Sequence, residues 1–435
     1  MFMIERFKKL INNEFLKSNG ILFIANITNG LVNFGIIFFA QFSLGDRESF
    51  NLWIAIGGAL AVFQGPISGL STHLVRKIAN LDHDNRGQLF SYYNQFRILI
   101  FKIVGVLVIV SPSLGLLINF VFNYNDFLSS FLIIGYISFQ FLLSTNQQLL
   151  LGRLKVWRFT FSMLTYAITR LTLTVGLVLV GFGVPTLPLA MLVAAVIAFS
   201  FGEWLSMPIL AEIKSDEVYK FEPIKEFAST FWTGVILQLM LIFMNLGVLT
   251  GKSFLSETDL YGYSIAFTFG QVIHFGASSA LGTFVSHSAR KHNRGLYLYT
   301  LGVMVSISLT LSIFVVSAIS IGKELLEKIG KPDYFDNLQY IIMMMAFICF
   351  YNIIYVTIQY LLSRSAFKKA AALLVFVVIQ FVALFGFNAY GLDSTWLTLW
   401  VNLICAMLAA GTLFYLAYNW KIQKSPVNDA IDLTI

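Results

Sequence analysis

Apolar runs of bilayer-crossing length, separated by short polar links, recur along the whole chain. The run over 20–42 carries no charge but holds Asn26, Asn29 and Asn33. Their i, i+3, i+7 spacing places three amides on one helical stripe. Such a stripe is costly against lipid, so it faces protein or a watery cavity. The same pattern predicts six spans over 20–42, 50–72, 98–121, 127–150, 159–181 and 185–210. Six more follow over 230–250, 260–285, 297–321, 338–362, 370–390 and 394–418.

The second half repeats the first. Glu14-Phe15 precedes Asn33-Phe34-Gly35 by the interval that separates Glu226-Phe227 from Asn245-Leu246-Gly247, so Asn26 matches Gln238 and Asn33 matches Asn245. His73-Leu74-Val75-Arg76-Lys77 after span 2 matches His287-Ser288-Ala289-Arg290-Lys291 after span 8, and each is followed by Asn-Arg-Gly. Q-L-L-L-G-R over 148–153 matches Q-Y-L-L-S-R over 359–364. A basic span end alone reflects only the positive-inside rule, which explains neither the shared His nor the shared Asn-Arg-Gly. The expected fold class is an all-α polytopic membrane protein with twelve transmembrane helices. They form two parallel six-helix lobes, 1–217 and 218–435, an internal repeat about an axis along the membrane normal.

Composition agrees: of 435 residues, 57% are hydrophobic and 12% charged, with mean hydropathy +0.78. That charged fraction is about half of a soluble domain's. The +7 net charge does not point to nucleic acid, because the basic residues lie in short links and form no large basic face. Of the 29 Lys and Arg, 22 fall in the termini and even-numbered loops and 5 in the odd-numbered loops. This bias places both termini in the cytoplasm. Residues 1–18 lack the pattern of a cleavable signal, and their apolar positions form one face of an amphipathic surface helix. Cys349 and Cys405 lie inside spans and show no disulfide or metal signature.

Arg170 is the sharpest candidate for chemistry. It lies about 16 Å into span 5, where an Arg costs roughly 2.5–3.5 kcal/mol and faces the interior. It either binds an anionic group, for which its fork suits a diphosphate, or pairs with Glu203 in span 6. Both roles hold together if Glu203 supports it. Lys102 sits near the end of span 3 and snorkels. His274 continues a stripe of Ser264, Thr268, Gln271 and Ser278. It either lines a cavity and couples protons or packs as a hydrogen-bonded histidine. Asn26, Asn29, Asn33, Gln238 and Asn245 either line a cavity, where amides suit sugar hydroxyls, or bond between helices. Gly65-Pro66 bends span 2, and Asp82-His83-Asp84 is a solvated loop without enough ligands for a metal. No phosphate-binding loop G-x-x-x-x-G-K-[ST] and no assembled Ser-His-Asp set occurs, so neither an enzyme nor a bound cofactor is expected.

Together these features resemble the multidrug/oligosaccharidyl-lipid/polysaccharide (MOP) exporter superfamily, in its bacterial polysaccharide (O-antigen) flippase branch. The residues that carry the likeness are the amphipathic start through Glu14-Phe15, the Gly65-Pro66 region followed by Arg76-Lys77, and the segment ending at Arg153. The resemblance implies two six-helix lobes in a V around a central cavity, with spans 1, 2, 7 and 8 in its walls. The implied cargo is an oligosaccharide on undecaprenyl diphosphate, flipped outward across the bacterial cytoplasmic (inner) membrane by alternating access. Membrane lipids and other polysaccharide-assembly proteins are its implied partners. By analogy a cavity Arg meets the diphosphate, and Arg170 is the candidate. Drug-exporting members often use a carboxylate in the first span, and none lies between Glu14 and Asp46. The lipid II flippase branch tends to carry two extra spans. A cation-coupled small-molecule exporter, of this superfamily or of the major-facilitator type, is the alternative. The major-facilitator loop signature G-x-x-x-D-R-x-G-R-[RK] is absent between Leu70 and Gln88. A membrane enzyme of glycan assembly is disfavoured by the short outer loops.

Overall fold

In a computed structural model the chain is helical. The structure describes residues 14–43, 47–122, 127–183, 185–278, 281, 284–290, 294–328, 333–390 and 394–419. The amphipathic start and the carboxyl tail lie outside the described residues.

The first half holds α1 (Glu14–Ser43), α2 (Arg47–Asp84), α3 (Arg86–Phe122), α4 (Phe127–Gly152), α5 (Val156–Leu179) and α6 (Thr186–Ile213). The second half holds α7 (Pro223–Phe254), α8 (Glu257–Ser278), α9 (Phe284–Arg290), α10 (Arg294–Ile321), α11 (Lys323–Lys328) and α12 (Asp333–Asp336). It continues with α13 (Leu338–Ser363), α14 (Phe367–Ala370), α15 (Leu373–Ala389) and α16 (Thr395–Tyr418). Nine helices among the described residues are long and apolar enough to cross a membrane. The other predicted spans, 1, 2 and 8, fall on α1, α2 and α8. This is a multi-pass membrane protein. Large apolar side chains stand exposed on the outward faces, such as Ile109 at 81% and Phe314 at 68%. Lipid covers such surface.

α8 is described as far as Ser278, and the short α9 carries the repeated His-x-x-Arg segment; residues 279, 280, 282 and 283 of predicted span 8 lie outside the described residues. Pro66 lies inside the continuous helix α2, as Pro112 and Pro208 lie inside α3 and α6. Neighbouring helices tolerate such breaks in the hydrogen-bond ladder within membranes. The glycines of α2 serve close packing: a Cβ on Gly69 would overlap the Gly234 backbone of α7.

Two helix ends that the sequence pairs, after Arg153 and Arg364, share a backbone conformation. After α4, Leu154 has φ +56°, with Leu154 N–H bonded to Leu151 O (3.0 Å) and Lys155 N–H to Leu150 O (2.8 Å). After α13, Ser365 has φ +58°, with Ser365 N–H bonded to Leu362 O (3.0 Å) and Ala366 N–H to Leu361 O (2.9 Å). Both helices therefore close with the same Schellman motif, each with a non-glycine residue in the left-handed region. Packing also divides by half. One buried cluster joins Met240, Phe243, Phe347, Tyr351, Leu399 and their neighbours, all beyond residue 235. Two others, around Ile133 and around Tyr92, Tyr93 and Phe96, draw their buried members from residues 36–213.

Candidate functional site

α1 and α2 of the first half meet α8 and α7 of the second. Gly30 on α1 faces Phe275 on α8, whose Cβ lies 3.6 Å from the position a Gly30 Cβ would take. On α2, a Cβ at Gly65 would overlap the Gln238 amide of α7, one turn from the Gly69–Gly234 approach. The amide stripe of α1 runs beside this seam. Asn26 lies one turn before Gly30 and Asn29 adjoins it, and both are half-buried. Gln271 on α8 is half-buried one turn before Phe275.

Arg170, 9% exposed on α5, donates from Nη2 to Asn33 Oδ1 of α1. Its guanidinium carbon lies 5.3 Å from the centre of the Tyr166 ring. Arg170 Nε, Asn29 Oδ1 and Gln238 Oε1 are buried and have no hydrogen-bond partner within the protein. Each buried polar atom left unpaired costs about 1–3 kcal/mol. Asn29 and Gln238 lie on the seam helices and Arg170 on α5 against α1, and their unpaired atoms mark positions for water or a bound group. Asn33 and Arg170 therefore form one unit that the sequence placed on separate helices.

The expected support from Glu203 is corrected. Glu203 pairs with Arg97 of α3 at 2.6 Å and accepts from Asn146 Nδ2 at 3.0 Å. Asn146 Oδ1 in turn accepts from the buried Tyr93 hydroxyl. Glu203 faces α3 and α4, whereas Arg170 faces α1, so the two charges point to different neighbours. Asn245 bonds back to its own helix at Leu241 O, 2.7 Å away. His274 is buried, with Nδ1 2.6 Å from Asn352 Oδ1 of α13, and so lies behind the stripe rather than on it. Lys102 is exposed, as snorkelling requires. Asp82 is not simply solvated: it pairs with Arg153 at 3.1 Å.

At the end of the seam beyond span 2, the repeated His-x-x-Arg-Lys segment finds partners that the sequence reading did not assign. His73 Nε2 meets Glu226 Oε2 of α7 at 2.7 Å, and Lys77 Nζ meets Glu226 Oε1 at 3.5 Å. Tyr92 donates its hydroxyl to the same carboxylate at 3.4 Å. Arg76 donates to His73 Nδ1 (3.1 Å), Ser229 Oγ (3.1 Å), Leu362 O (2.9 Å) and Ser365 Oγ (3.0 Å). Arg76 thus ties α2 to α7 and to the turn after α13. Because Nδ1 accepts from Arg76, Nε2 carries the proton donated to Glu226. Burial holds the His73 imidazole below its usual pKa, against the opposing pull of the Glu226 hydrogen bond; Arg76 adds to the lowering. Ser286 on α9 makes a parallel bridge to Leu151 O at 3.2 Å. The signal for this cluster was the repeat itself, which holds a Glu before the first span of each half and a His after the second.

Among the described residues, α1 meets α8 and α2 meets α7, with unpaired polar atoms buried on α1 and α7. The comparisons agree on the fold. The chain is similar to an outward-facing multidrug resistance MATE family transporter of the MOP superfamily (TM-score 0.73, 13% identity, 94% of this chain and 96% of the other). It is also similar to a MOP superfamily transporter from Pyrococcus furiosus, described as having a binding pocket of reversed polarity that suggests a different function (TM-score 0.71, 14% identity, 94% and 96%). A MATE structure in complex with MaL6 matches at TM-score 0.74, 14% identity, 93% and 95% coverage. No family model and no curated protein matches the sequence. The chain shares the fold of MOP superfamily transporters.

Proposed function

We propose that this protein is a flippase. It moves an undecaprenyl-diphosphate-linked oligosaccharide, an O-antigen or capsule repeat unit, to the outer leaflet by alternating access of two six-helix lobes. The observation that carries this reading is Arg170: a buried guanidinium with an unpaired Nε, held by Asn33 and beside an amide stripe. A guanidinium in low dielectric selects an anion, and its fork matches a diphosphate. Amides at Asn26, Asn29 and Gln238 suit the hydroxyls of a sugar. The pocket of reversed polarity described for the Pyrococcus furiosus neighbour supports the idea that this fold is used with more than one charge preference. The second reading, export of small molecules, is favoured by the multidrug description of another neighbour. Against it stands the lack of any carboxylate between Glu14 and Asp46.

Binding by full-length protein in nanodiscs tests the choice. Undecaprenyl-diphosphate-linked oligosaccharide is expected to bind wild type at least tenfold more tightly than Arg170→Ala, a difference of about 1.4 kcal/mol. Arg170→Lys falls between, because it keeps the charge and loses the fork. Equal affinity in wild type and Arg170→Ala removes Arg170 from the site. Preferential binding of the lipophilic cation tetraphenylphosphonium selects the second reading.

A further inference from the structure

We propose that His274 is a proton-binding site, and that its charge state shifts the contact between the two halves. The sequence isolates this imidazole. No Asp, Glu, Lys or Arg occurs in α1 from 18 to 45, in α7 from 227 to 251, in α8 from 260 through α9 to 289, or in α10 from 295 to 322. The same holds in α13 from 337 to 363 and in α16 from 394 to 420. Within these stretches the side chains with an unperturbed pKa near neutrality are His274, inside α8, and His287, in the short α9. An ionisable group placed inside an apolar span is a candidate for function.

The geometry prepares it for a proton. Ser308 Oγ–H on α10 donates to Met304 O at 2.8 Å, so that hydroxyl accepts from Asn352 Nδ2 at 2.9 Å. Asn352 is thereby oriented with Oδ1 toward His274 Nδ1, 2.6 Å away. Nδ1 must then donate, and the basic lone pair is left on Nε2. An amide oxygen accepts from a neutral imidazole and from an imidazolium alike, so a proton can bind at Nε2 without undoing the chain. The titratable groups that face the ring are the phenols of Tyr351 and Tyr355, both on α13, with ring centres at 5.1 and 5.2 Å. The next titratable group on α13, Cys349, lies against Ser312 instead. α10 meets the ring through Ser308, and α1, α7 and α16 bring no charged residue to it.

The link to the seam is one residue long. Phe275 follows His274 and is the α8 residue that faces Gly30 of α1. His274 therefore sits behind the seam, on the helix that makes the contact. A charge placed there repacks α8 against α10 and α13, and Phe275 moves with it.

The test uses full-length protein labelled with 15N in its histidine rings, in vesicles of phosphatidylethanolamine and phosphatidylglycerol. It needs no cargo, so its outcome is independent of the substrate reading. Solid-state NMR is expected to show His274 Nε2 changing from unprotonated to protonated between pH 8 and 5 while Nδ1 stays protonated. Nitroxide labels at Trp157 and Lys368, in a background without Cys349 and Cys405, are expected to change separation over the same range. His274→Gln is expected to abolish that change. If that variant does not fold, the wild-type titration decides alone. A His274 that stays singly protonated throughout, a wild-type separation that ignores pH, or a response retained in His274→Gln overturns the proposal.

Discussion

A single methyl group at Gly69 measures how closely the halves pack. The Gly234 backbone occupies the space a Cβ would need, and backbone cannot turn aside as a side chain can. Gly69→Ala is expected to destabilise this arrangement by about 1–3 kcal/mol, the usual range for overpacking. Gly105→Ala, with nothing within 4 Å of the added carbon, is the control. Thermal unfolding in detergent checks both; equal midpoints for the two variants contradict the packing. At this scale the sequence was informative where a residue broke its surroundings. Arg170 and His274 stand out because charge and imidazole are rare in apolar spans. Their partners did not stand out. Glu203 looked like the nearest carboxylate by depth, but depth along a helix says nothing about facing direction, and Arg97 was closer on the face that mattered. Asn33 and Asn352 are uncharged amides among several, and only packing selects them.

Helix ends hold the halves together. Glu226, at the start of α7, gathers His73, Lys77 and Tyr92 from α2 and α3, while Arg76 reaches the turn after α13. Removing one member of a buried charged cluster leaves the others unpaired, which is costly. Glu226→Gln is therefore expected to loosen the α2–α7 contact. Nitroxides at Trp157 and Lys368 report it as a longer, broader separation in the variant; an unchanged distribution means the cluster does not hold the seam. Elements were legible wherever apolar length alone decides: nine of the predicted spans fall on described helices long and apolar enough to cross a membrane. The turns after α4 and α13 were legible only as a repeat: Leu154 and Ser365 carry no glycine signal for the left-handed conformation they share.

The whole molecule turns on a polar seam between two apolar bodies. The likeness of the halves is a reading of the sequence, in which similar links recur at nearly constant spacing. Which faces would meet was not legible, since an amide stripe on a helix does not name its opposite. The chain shares its fold with MOP superfamily transporters. The central claim is that Arg170 and its amides take an anionic lipid-linked sugar through that seam. Translocation in proteoliposomes tests it most directly, with a fluorescent undecaprenyl-diphosphate-linked oligosaccharide loaded in one leaflet and its arrival in the other followed by quenching from outside. The account predicts protein-dependent flipping by wild type and a loss of at least tenfold in Arg170→Ala at equal reconstitution. Flipping at the wild-type rate by Arg170→Ala, or none by wild type beyond empty vesicles, would contradict it.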